Sequence, residues 1–290
     1  MEKILITGGA GSLGLSLSNA LYEKGFKVRV FDVPQCDYTY LETLEGLEII
    51  PGDIREESSV ARALADSDII FHLAALLPPT SEKNRQITWD INVHGTERLL
   101  KLATEGGNRP QLIFASSVST YGDTSKEDPP IKVSHPQRPL DIYAESKIAA
   151  EKIVLASPLP WTILRISGIA VPAFLDPPEV WPFMADQRIE FIALPDLVTC
   201  LLNLIGKKEA QGKIMNIAGG TSWQVKGKEY VERFCQTMDL PSGQARFSPT
   251  PGWLDWYDTK GSQELLHYQN ISLALFHQLL AKAIEEALAE

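Results

Sequence analysis

Near its N-terminus the chain runs Ile4-Leu5-Ile6-Thr7-Gly8-Gly9-Ala10-Gly11-Ser12-Leu13-Gly14. The apolar start predicts a buried strand, and glycines at three-residue steps then open a segment of helical period. Only glycine lets backbone amides approach an anionic group closely at the positive end of a helix. A glycine pattern alone is a weak signal, but the strand directly before it is the context that a dinucleotide-binding turn requires. The alternative is a glycine turn with a purely structural role.

Outward from this turn, short β-branched runs alternate with longer segments of helical period, which predicts a parallel sheet with crossover helices. The predicted strands of this half are Ile4–Thr7, Val28–Phe31, Leu47–Ile50, Ile69–Leu73 and Leu112–Ala115. The predicted helices are Leu13–Lys24, Ser58–Ala65, Ile91–Thr104 and Tyr143–Leu155. Because the strands are almost continuously apolar, we expect helices on both faces of the sheet. The predicted fold class is α/β, a doubly wound parallel sheet of the Rossmann type.

The second half is interrupted by the proline-rich stretch Pro172–Pro182, since each proline removes a backbone donor. After it, strands predicted at Phe191–Ala193 and Lys213–Ile217 return the chain to the main sheet. We therefore predict a dinucleotide-binding domain from residues 1–168 with 189–222, and a smaller discontinuous substrate lobe from 169–188 with 223–290. The last helix is expected to bury one stripe of apolar side chains: Leu275, Leu279, Ala283 and Leu288.

Composition excludes several classes of function. The 290 residues contain 27 Lys and Arg against 37 Asp and Glu, a net charge of -10, so the surface repels nucleic acid. No apolar run reaches the roughly 20 residues that span a bilayer, and the N-terminus lacks the pattern of an export signal, so we expect a cytoplasmic protein without a membrane partner. The three cysteines and five histidines lack metal-ligand spacing, which predicts no metal site.

Asp32 ends the second predicted strand, close to the spacing at which an acidic side chain meets the adenosine ribose. A carboxylate there accepts hydrogen bonds from the ribose hydroxyls and repels a 2′-phosphate. The residues that follow, Val33-Pro34-Gln35-Cys36, include no arginine. NAD is therefore favoured over NADP as the cofactor. The alternative is that Asp32 merely ends a strand.

Several motifs in family-like order resemble the extended short-chain dehydrogenase/reductases, the branch often called the NAD-dependent epimerase/dehydratase family. They are Thr7–Gly14, Gly52-Asp53-Ile54, His72-Leu73-Ala74-Ala75, Asn92–Thr96, Ser116-Ser117, Tyr121-Gly122, Tyr143-Ala144-Glu145-Ser146-Lys147 and Leu164-Arg165. The resemblance covers most of the chain and implies a set of cofactor-binding residues: Gly8, Gly11, Ser12, Leu13, Gly14, Asp32, Asp53, Ile54, Leu73, Ala74, Ala75, Asn92, Ser116, Tyr143 and Lys147.

The same resemblance implies that Ser117, Tyr143 and Lys147 are catalytic. On a helix, residues four apart share a face, so a hydroxyl and an ammonium reach one cleft. A tyrosine with its usual pKa of about 10 is a poor base at neutral pH. Lys147 and the cation of oxidised nicotinamide are expected to favour tyrosinate, so that Tyr143 acts as base or acid while Ser117 binds the substrate oxygen. The alternative is a surface Tyr and Lys on an ordinary helix.

The chain departs from relatives that act on nucleotide sugars. Val118-Ser119 stands where dehydratases carry Asp-Glu, and Gly168 stands where nucleotide-sugar enzymes carry an Asn that contacts the diphosphate. The proline-rich stretch is short and suits either a compact apolar lid or simple packing. We therefore expect a smaller substrate, such as a free sugar, a sugar acid or another alcohol or ketone. The candidate substrate contacts are Ser117, Ser119, Ser167 and Trp181.

Three functions remain open from sequence. The leading one is an NAD-dependent oxidoreductase that acts on a secondary alcohol or ketone. The second is a nucleotide-sugar epimerase with tightly bound NAD, and the third is a non-catalytic dinucleotide-binding regulator, which the intact Ser117, Tyr143 and Lys147 disfavour. Family likeness also implies a homodimer through the helices at Ile91–Thr104 and Tyr143–Leu155.

Overall fold

The computed structural model describes residues 2–289. Within them the strands are β1 (Lys3–Thr7), β2 (Lys27–Asp32), β3 (Glu48–Pro51), β4 (Ile69–His72), β5 (Gln111–Ser117), β6 (Trp161–Ile166), β7 (Gly168–Ala170), β8 (Arg188–Ile189), β9 (Phe191–Ala193), β10 (Lys213–Ile217) and β11 (Val225–Lys226). The main sheet has the order β3-β2-β1-β4-β5-β6-β10. Strands β1 to β5 pair in parallel, as the sequence predicted.

The helices of the same residues are α1 (Ser12–Glu23), α2 (Thr39–Glu42), α3 (Glu57–Leu64), α4 (Arg85–Trp89), α5 (Gly95–Glu105), α6 (Ile142–Ala156), α7 (Leu194–Leu202), α8 (Gly227–Thr237), α9 (Lys260–Leu266) and α10 (Leu273–Ala289). A π-helical turn at Asp90–His94 joins α4 to α5. Among residues 2–289, no helix combines the length and the apolar character needed to cross a membrane.

Successive residues of the central strands are buried, which explains the doubly wound arrangement. Ile4, Leu5 and Ile6 are all fully buried although neighbouring side chains point to opposite faces of a strand. On one face, Leu5 belongs to a cluster with Val60 of α3 and Leu99 of α5. Strand order reverses at β1, which pairs with β2 on one side and β4 on the other. In open α/β sheets, ligands bind beyond the carboxyl ends of strands at such a reversal.

Two details of the second half differ from prediction. Phe191–Ala193 is a strand, but it pairs in parallel with β7 in a separate two-stranded sheet instead of returning to the main sheet. In α10 the buried side chains are Leu273, Phe276 and Leu280. The predicted stripe is wrong: Leu275 is 38% exposed and Leu288 72% exposed. The sequence pattern alone did not show that the helix packs through Phe276 against Trp223.

The chain divides into two compact units. The first contains the residues up to Ser117, Asp141–Leu164 and Leu201–Ile214, and the second contains Val118–Leu140, Arg165–Cys200 and the residues from Met215 onward. The core of the first unit lies between its strands and helices α3, α5 and α6. The core of the second is rich in aromatic residues, including Trp181, Phe183 and Trp223. The domain boundaries predicted from sequence stay a prediction.

Candidate active site

The glycine turn after β1 leaves room for no side chain at two of its positions. Gly8 has a φ of +71°, a conformation that favours glycine. A Cβ atom on Gly8 would lie 2.7 Å from the Ala74 nitrogen, and one on Gly14 would lie 2.5 Å from the Gly9 Cα. Helix α1 follows, and its N-cap is Gly11, which offers no side chain to cap the first amides. Close backbone packing and uncapped amides are what a pyrophosphate-binding turn needs.

Asp32 lies at the end of β2 beside this turn. Its Oδ2 accepts a hydrogen bond from the Ala10 nitrogen at 3.0 Å, and its Oδ1 accepts one from the Val33 nitrogen at 2.8 Å. The Cys36 thiol also bonds the carboxylate, and burial together with the Asp32 charge raises the pKa of that thiol. The carboxylate is therefore held in place next to the glycine turn, where the sequence spacing predicted it.

Residues after β4 complete this edge of the first unit. The Leu73 nitrogen donates to the Thr7 carbonyl oxygen at 3.1 Å, and the Ala74 nitrogen lies 3.3 Å from the Thr7 hydroxyl. Ala75 follows them in the same loop, while Ser12 and Leu13 begin α1. The predicted cofactor residues of these two segments thus lie together beside Gly8.

Asp53 and Ile54, predicted for the adenine side, follow β3. The Asp53 carboxylate pairs with the Arg55 guanidinium at 2.6 Å, and this hydrogen-bonded pair lowers the pKa of Asp53. Ile54 is buried against Gly95 at the start of α5, where a Cβ would lie 2.9 Å from it. Asp53 therefore stays ionised at neutral pH.

His72 is a buried neutral link between the glycine turn and α5. Its Nδ1 lies 2.7 Å from the Thr7 hydroxyl and its Nε2 lies 2.9 Å from the Thr96 hydroxyl. Because Thr96 donates to the Asn92 carbonyl oxygen, Nε2 carries the hydrogen and Nδ1 accepts from Thr7. Burial and the nearby Lys147 charge lower the pKa of His72 to about 3. His72 is therefore a hydrogen-bonded core residue and not a base.

Asn92 lies in the π-helical turn, and its side-chain amide forms hydrogen bonds with other residues of the chain. Its Oδ1 accepts from the Leu76 nitrogen at 2.7 Å, and its Nδ2 donates to the Ser146 hydroxyl at 2.9 Å. Ser146 in turn donates to the Tyr143 carbonyl oxygen at 2.7 Å. Asn92 therefore braces helix α6 at the residue that carries the phenol, and π-helical turns often occur at such functional positions.

The structure brings Ser117, Tyr143 and Lys147 together. Ser117 ends β5 and its side chain hydrogen-bonds the Tyr143 phenol. Lys147 lies one helical turn after Tyr143, with its Nζ 5.8 Å from the Tyr143 ring centroid. The Nζ donates to the Ala115 carbonyl oxygen at 2.7 Å. The buried Ser117 and Lys147 and the half-buried Tyr143 thus bring a hydroxyl, an ammonium and a phenol together at the end of β5.

Two carboxylates fix the start of α6. Asp141 caps the helix by accepting from the Ala144 nitrogen at 2.7 Å. Glu82, distant in sequence, accepts from the backbone nitrogens of Ile142 and Tyr143 at 2.9 and 3.1 Å. Sequence reasoning missed both residues. Asp141 carries the usual signal of an N-cap, an acidic residue just before a helix, but nothing in the local sequence connects Glu82 to this helix.

Burial has the largest effect on the pKa values of Tyr143 and Lys147. Burial raises the pKa of Tyr143, and the charge of Asp141 adds to this effect. Burial also lowers the pKa of Lys147 to about 8. That Lys147 and the nicotinamide cation together favour tyrosinate stays a prediction; among the chain's own residues, burial has the largest effect on the Tyr143 pKa. At neutral pH these residues hold Tyr143 as a protonated acid.

The remaining predicted residues lie in the second unit. Ser119 is buried in the short helical turn Val118–Tyr121. The Ser167 hydroxyl is buried and has no hydrogen-bond partner among residues 2–289. Trp181 is 8% exposed and packs edge-on against Tyr230 and Phe234 in the core of its unit. In the described part of the chain, no group of three or more His, Cys, Asp or Glu is placed to hold a metal ion.

The family model for the NAD-dependent epimerase/dehydratase family matches residues 4–173. The chain belongs to this family. The match runs from the glycine turn through Ser117, Tyr143 and Lys147 to the segment after β7.

A curated relative is a 3-beta-hydroxysteroid dehydrogenase from Mycolicibacterium neoaurum, 33% identical over 161 residues, which cover 53% of this chain and 43% of the relative. The chain thus spans less than half the length of this relative.

Two solved structures share the fold over 99% of this chain. A dTDP-glucose 4,6-dehydratase from Bacillus anthracis in complex with NAD has a TM-score of 0.84 at 17% identity and is covered over 97% of its length. A UDP-glucose 4-epimerase from Thermotoga maritima has a TM-score of 0.82 at 20% identity and is covered over 99%.

Gly168, which we expect to distinguish this chain from nucleotide-sugar enzymes, begins β7. A Cβ atom on Gly168 would collide with the ring of Phe191, which lies directly against the glycine. Phe191 also packs against Tyr230, with ring centroids 4.9 Å apart. A larger side chain at position 168 would therefore displace this aromatic packing.

Proposed function

We propose that this chain is an NAD-dependent oxidoreductase that interconverts a secondary alcohol and a ketone, with Tyr143 as the acid and base. The observation that carries the proposal is the hydrogen bond between Ser117 and the Tyr143 phenol, with Lys147 one turn along the same helix. These three residues belong to the same compact unit as the glycine turn and Asp32. This combination matches the needs of proton exchange beside a bound dinucleotide.

The residues of the glycine turn fit NAD. The space at Gly8 and Gly14 is closed to side chains, so backbone amides can lie against a pyrophosphate. Asp32 presents a fixed carboxylate for the ribose hydroxyls and would repel the 2′-phosphate of NADP. When bound, NAD supplies the acceptor or donor of a hydride. We accordingly assign NAD and not NADP as the cofactor.

Each residue of the trio has a separate task. Protonated Tyr143 gives its proton to a carbonyl oxygen that is being reduced, which agrees with the raised pKa of its phenol. For the reverse reaction Tyr143 must take the alcohol proton, so it needs positive charge nearby, which Lys147 supplies while it is protonated. Ser117 is within hydrogen-bonding reach of the phenol and orients the same substrate oxygen. Tyr143 is thus the proton carrier of the proposed reaction.

For the substrate we propose a small sugar-like alcohol or ketone, because Gly168 and Val118-Ser119 depart from the nucleotide-sugar pattern. An apolar secondary alcohol is the second candidate. The relative from Mycolicibacterium neoaurum is a hydroxysteroid dehydrogenase. In the second unit, Phe174 is 48% exposed and Leu175 56% exposed, and exposed apolar side chains of this kind suit an apolar ligand.

The test is a turnover screen in which the absorbance of the reduced cofactor reports the reaction. Purified protein is incubated with NAD or NADP and with free sugars, sugar acids, nucleotide sugars and a 3β-hydroxysteroid. We expect NADH to accumulate with one class of small alcohol and NAD to exchange freely. Tightly held NAD with an epimerised nucleotide sugar and no net absorbance change would contradict the proposal in favour of an epimerase. NAD binding without turnover of any class would favour the regulator.

We also propose that the protein is a homodimer through α5 and α6. Leu155 at the end of α6 is 45% exposed, as expected of an apolar contact with a second chain. Light scattering of the purified protein checks the assembly, and a monomer over the micromolar range would contradict it.

A further inference from the structure

Glu151 is a buried carboxylate to which the proposed function gives no role. It lies on α6 one turn after Lys147 and is 2% exposed. Its Oε1 accepts a hydrogen bond from the Ser116 hydroxyl at 2.5 Å. Ser116 is itself 3% exposed and directly precedes Ser117 at the end of β5. Glu151 is thus connected to the strand end that carries one member of the trio.

The same residue lies one helical turn after Lys147 on α6. Residues at i and i+4 of a helix are neighbours on one face, and the charge of Glu151 raises the pKa of Lys147 against the effect of burial. Three uncharged groups also contact the ammonium. They are the Ala115 carbonyl oxygen at 2.7 Å, the Phe114 ring with its centroid at 4.9 Å and the Tyr143 ring with its centroid at 5.8 Å.

Other titratable groups near helix α6 are neutral or engaged elsewhere. His72 of β4 is held neutral, since its pKa lies well below the usual range. The groups on the elements packed against α6 have other partners. Arg85 pairs with Glu145, and His94 pairs with Glu97. Asp90 accepts from Gln86, Arg98 donates to the Ile54 carbonyl oxygen, and Glu82 accepts from the start of α6. Asp141 caps the start of the same helix through the Ala144 nitrogen, whereas Glu151 lies one turn after Lys147 and is placed to balance its charge.

We propose that Glu151 is a positioning residue of the active site: it fixes the end of β5 through Ser116 and keeps the buried Lys147 ammonium protonated at neutral pH. The proposal rests on the proposed roles of Ser117 and Lys147. A carboxylate with only a structural role would need the hydrogen bond to Ser116 but not the charge. The two functions are therefore separable by a substitution that keeps the acceptor oxygen and removes the charge.

Glu151→Gln makes that separation, and the readout is the titration of Lys147 in the cofactor-free protein. Lysine labelled with ¹³C and ¹⁵N is followed by NMR, and the Lys147 signal is assigned by its loss in Lys147→Arg. We expect the pKa of Lys147 to fall by about one pH unit in Glu151→Gln, as for loss of a neighbouring opposite charge. The alkaline limb of the activity profile should move in the same direction. An unchanged Lys147 titration would overturn the proposal.

Glu145→Gln is the matched control, because Glu145 pairs with Arg85 at a partly exposed position of the same helix. It should leave the Lys147 titration unchanged. If Glu151→Gln does not fold, the wild-type protein still answers the question through the carboxyl ¹³C shift of Glu151. An ionised Glu151 at pH 7 supports the proposal, and a protonated one overturns it. Neither measurement needs turnover. An inactive protein would therefore contradict the proposed function, but the result for Glu151 could still be interpreted.

Discussion

Replacing Gly14 by alanine tests whether the turn after β1 is built for a dinucleotide. An added Cβ would lie 2.5 Å from the Gly9 Cα and closer still to the Gly8 carbonyl oxygen. To bring the closest of these contacts, 2.3 Å to the Gly8 carbonyl oxygen, to an ordinary 3.4 Å, the turn must move by about 1.1 Å. Strain of this kind costs about 1–3 kcal/mol. The shift also moves the amides of the turn away from the position of a pyrophosphate.

The expected loss in affinity follows from the hydrogen bonds of these amides. A hydrogen bond to a charged group contributes about 1.5–3 kcal/mol, so losing one raises the NAD dissociation constant about 10- to 100-fold. Isothermal titration calorimetry measures the constant, and thermal unfolding measures the strain. Gly261→Ala is the control, because a Cβ at this position of α9 meets none of the described atoms within 4 Å. Unchanged NAD affinity in Gly14→Ala at unchanged stability would refute the reasoning.

Two further predictions concern Asp32 and His72. Asp32→Ala should lower the affinity for NAD about tenfold or more by removing charge-assisted hydrogen bonds, and it should lower the affinity for NADP less. Titration calorimetry with both cofactors measures the two affinities. An equal loss for both would contradict the assignment of NAD. The pKa of His72 is lowered from 6.5 to about 3, so the unfolded chain binds a proton in this interval that the folded chain does not. The contribution of His72 to stability is therefore complete above pH 6.5 and is lost as pH falls toward 3, at about 1.4 kcal/mol per pH unit. Denaturant unfolding across this interval measures how the free energy of unfolding changes with pH. This slope should be smaller by that amount in His72→Asn and unchanged in His94→Asn, whose side chain is exposed. Equal slopes in wild type and His72→Asn would contradict a buried neutral histidine.

The first half of the fold was predictable because its signals are local. The strands predicted at Ile4–Thr7, Val28–Phe31 and Leu112–Ala115 lie within β1, β2 and β5, since β-branched runs mark them directly. The glycine turn and Asp32 could be placed from spacing, because one crossover unit sets their separation. Family resemblance added Ser117, Tyr143 and Lys147, and the structure brings these three together.

What could not be predicted depends on contacts distant in sequence. The strand at Phe191–Ala193 joins β7 because Phe191 packs on Gly168, a fit that no local pattern records. The direction of the Tyr143 pKa depends on the balance between burial, the charge of Asp141 and the hydrogen bond from Ser117, which only the folded chain sets. Glu82 reaches the start of α6 from 61 residues away.

Turnover by Tyr143→Phe tests the proposed chemistry most directly. The substitution removes the phenol oxygen and leaves the ring, so NAD affinity should stay within about twofold of wild type while kcat falls at least about 100-fold, the usual range for loss of a general acid or base. Tyr40→Phe, at a side chain that is 47% exposed, should keep full activity. If Tyr143→Phe turns over substrate at the wild-type rate, Tyr143 is not the proton carrier and the proposed mechanism is wrong.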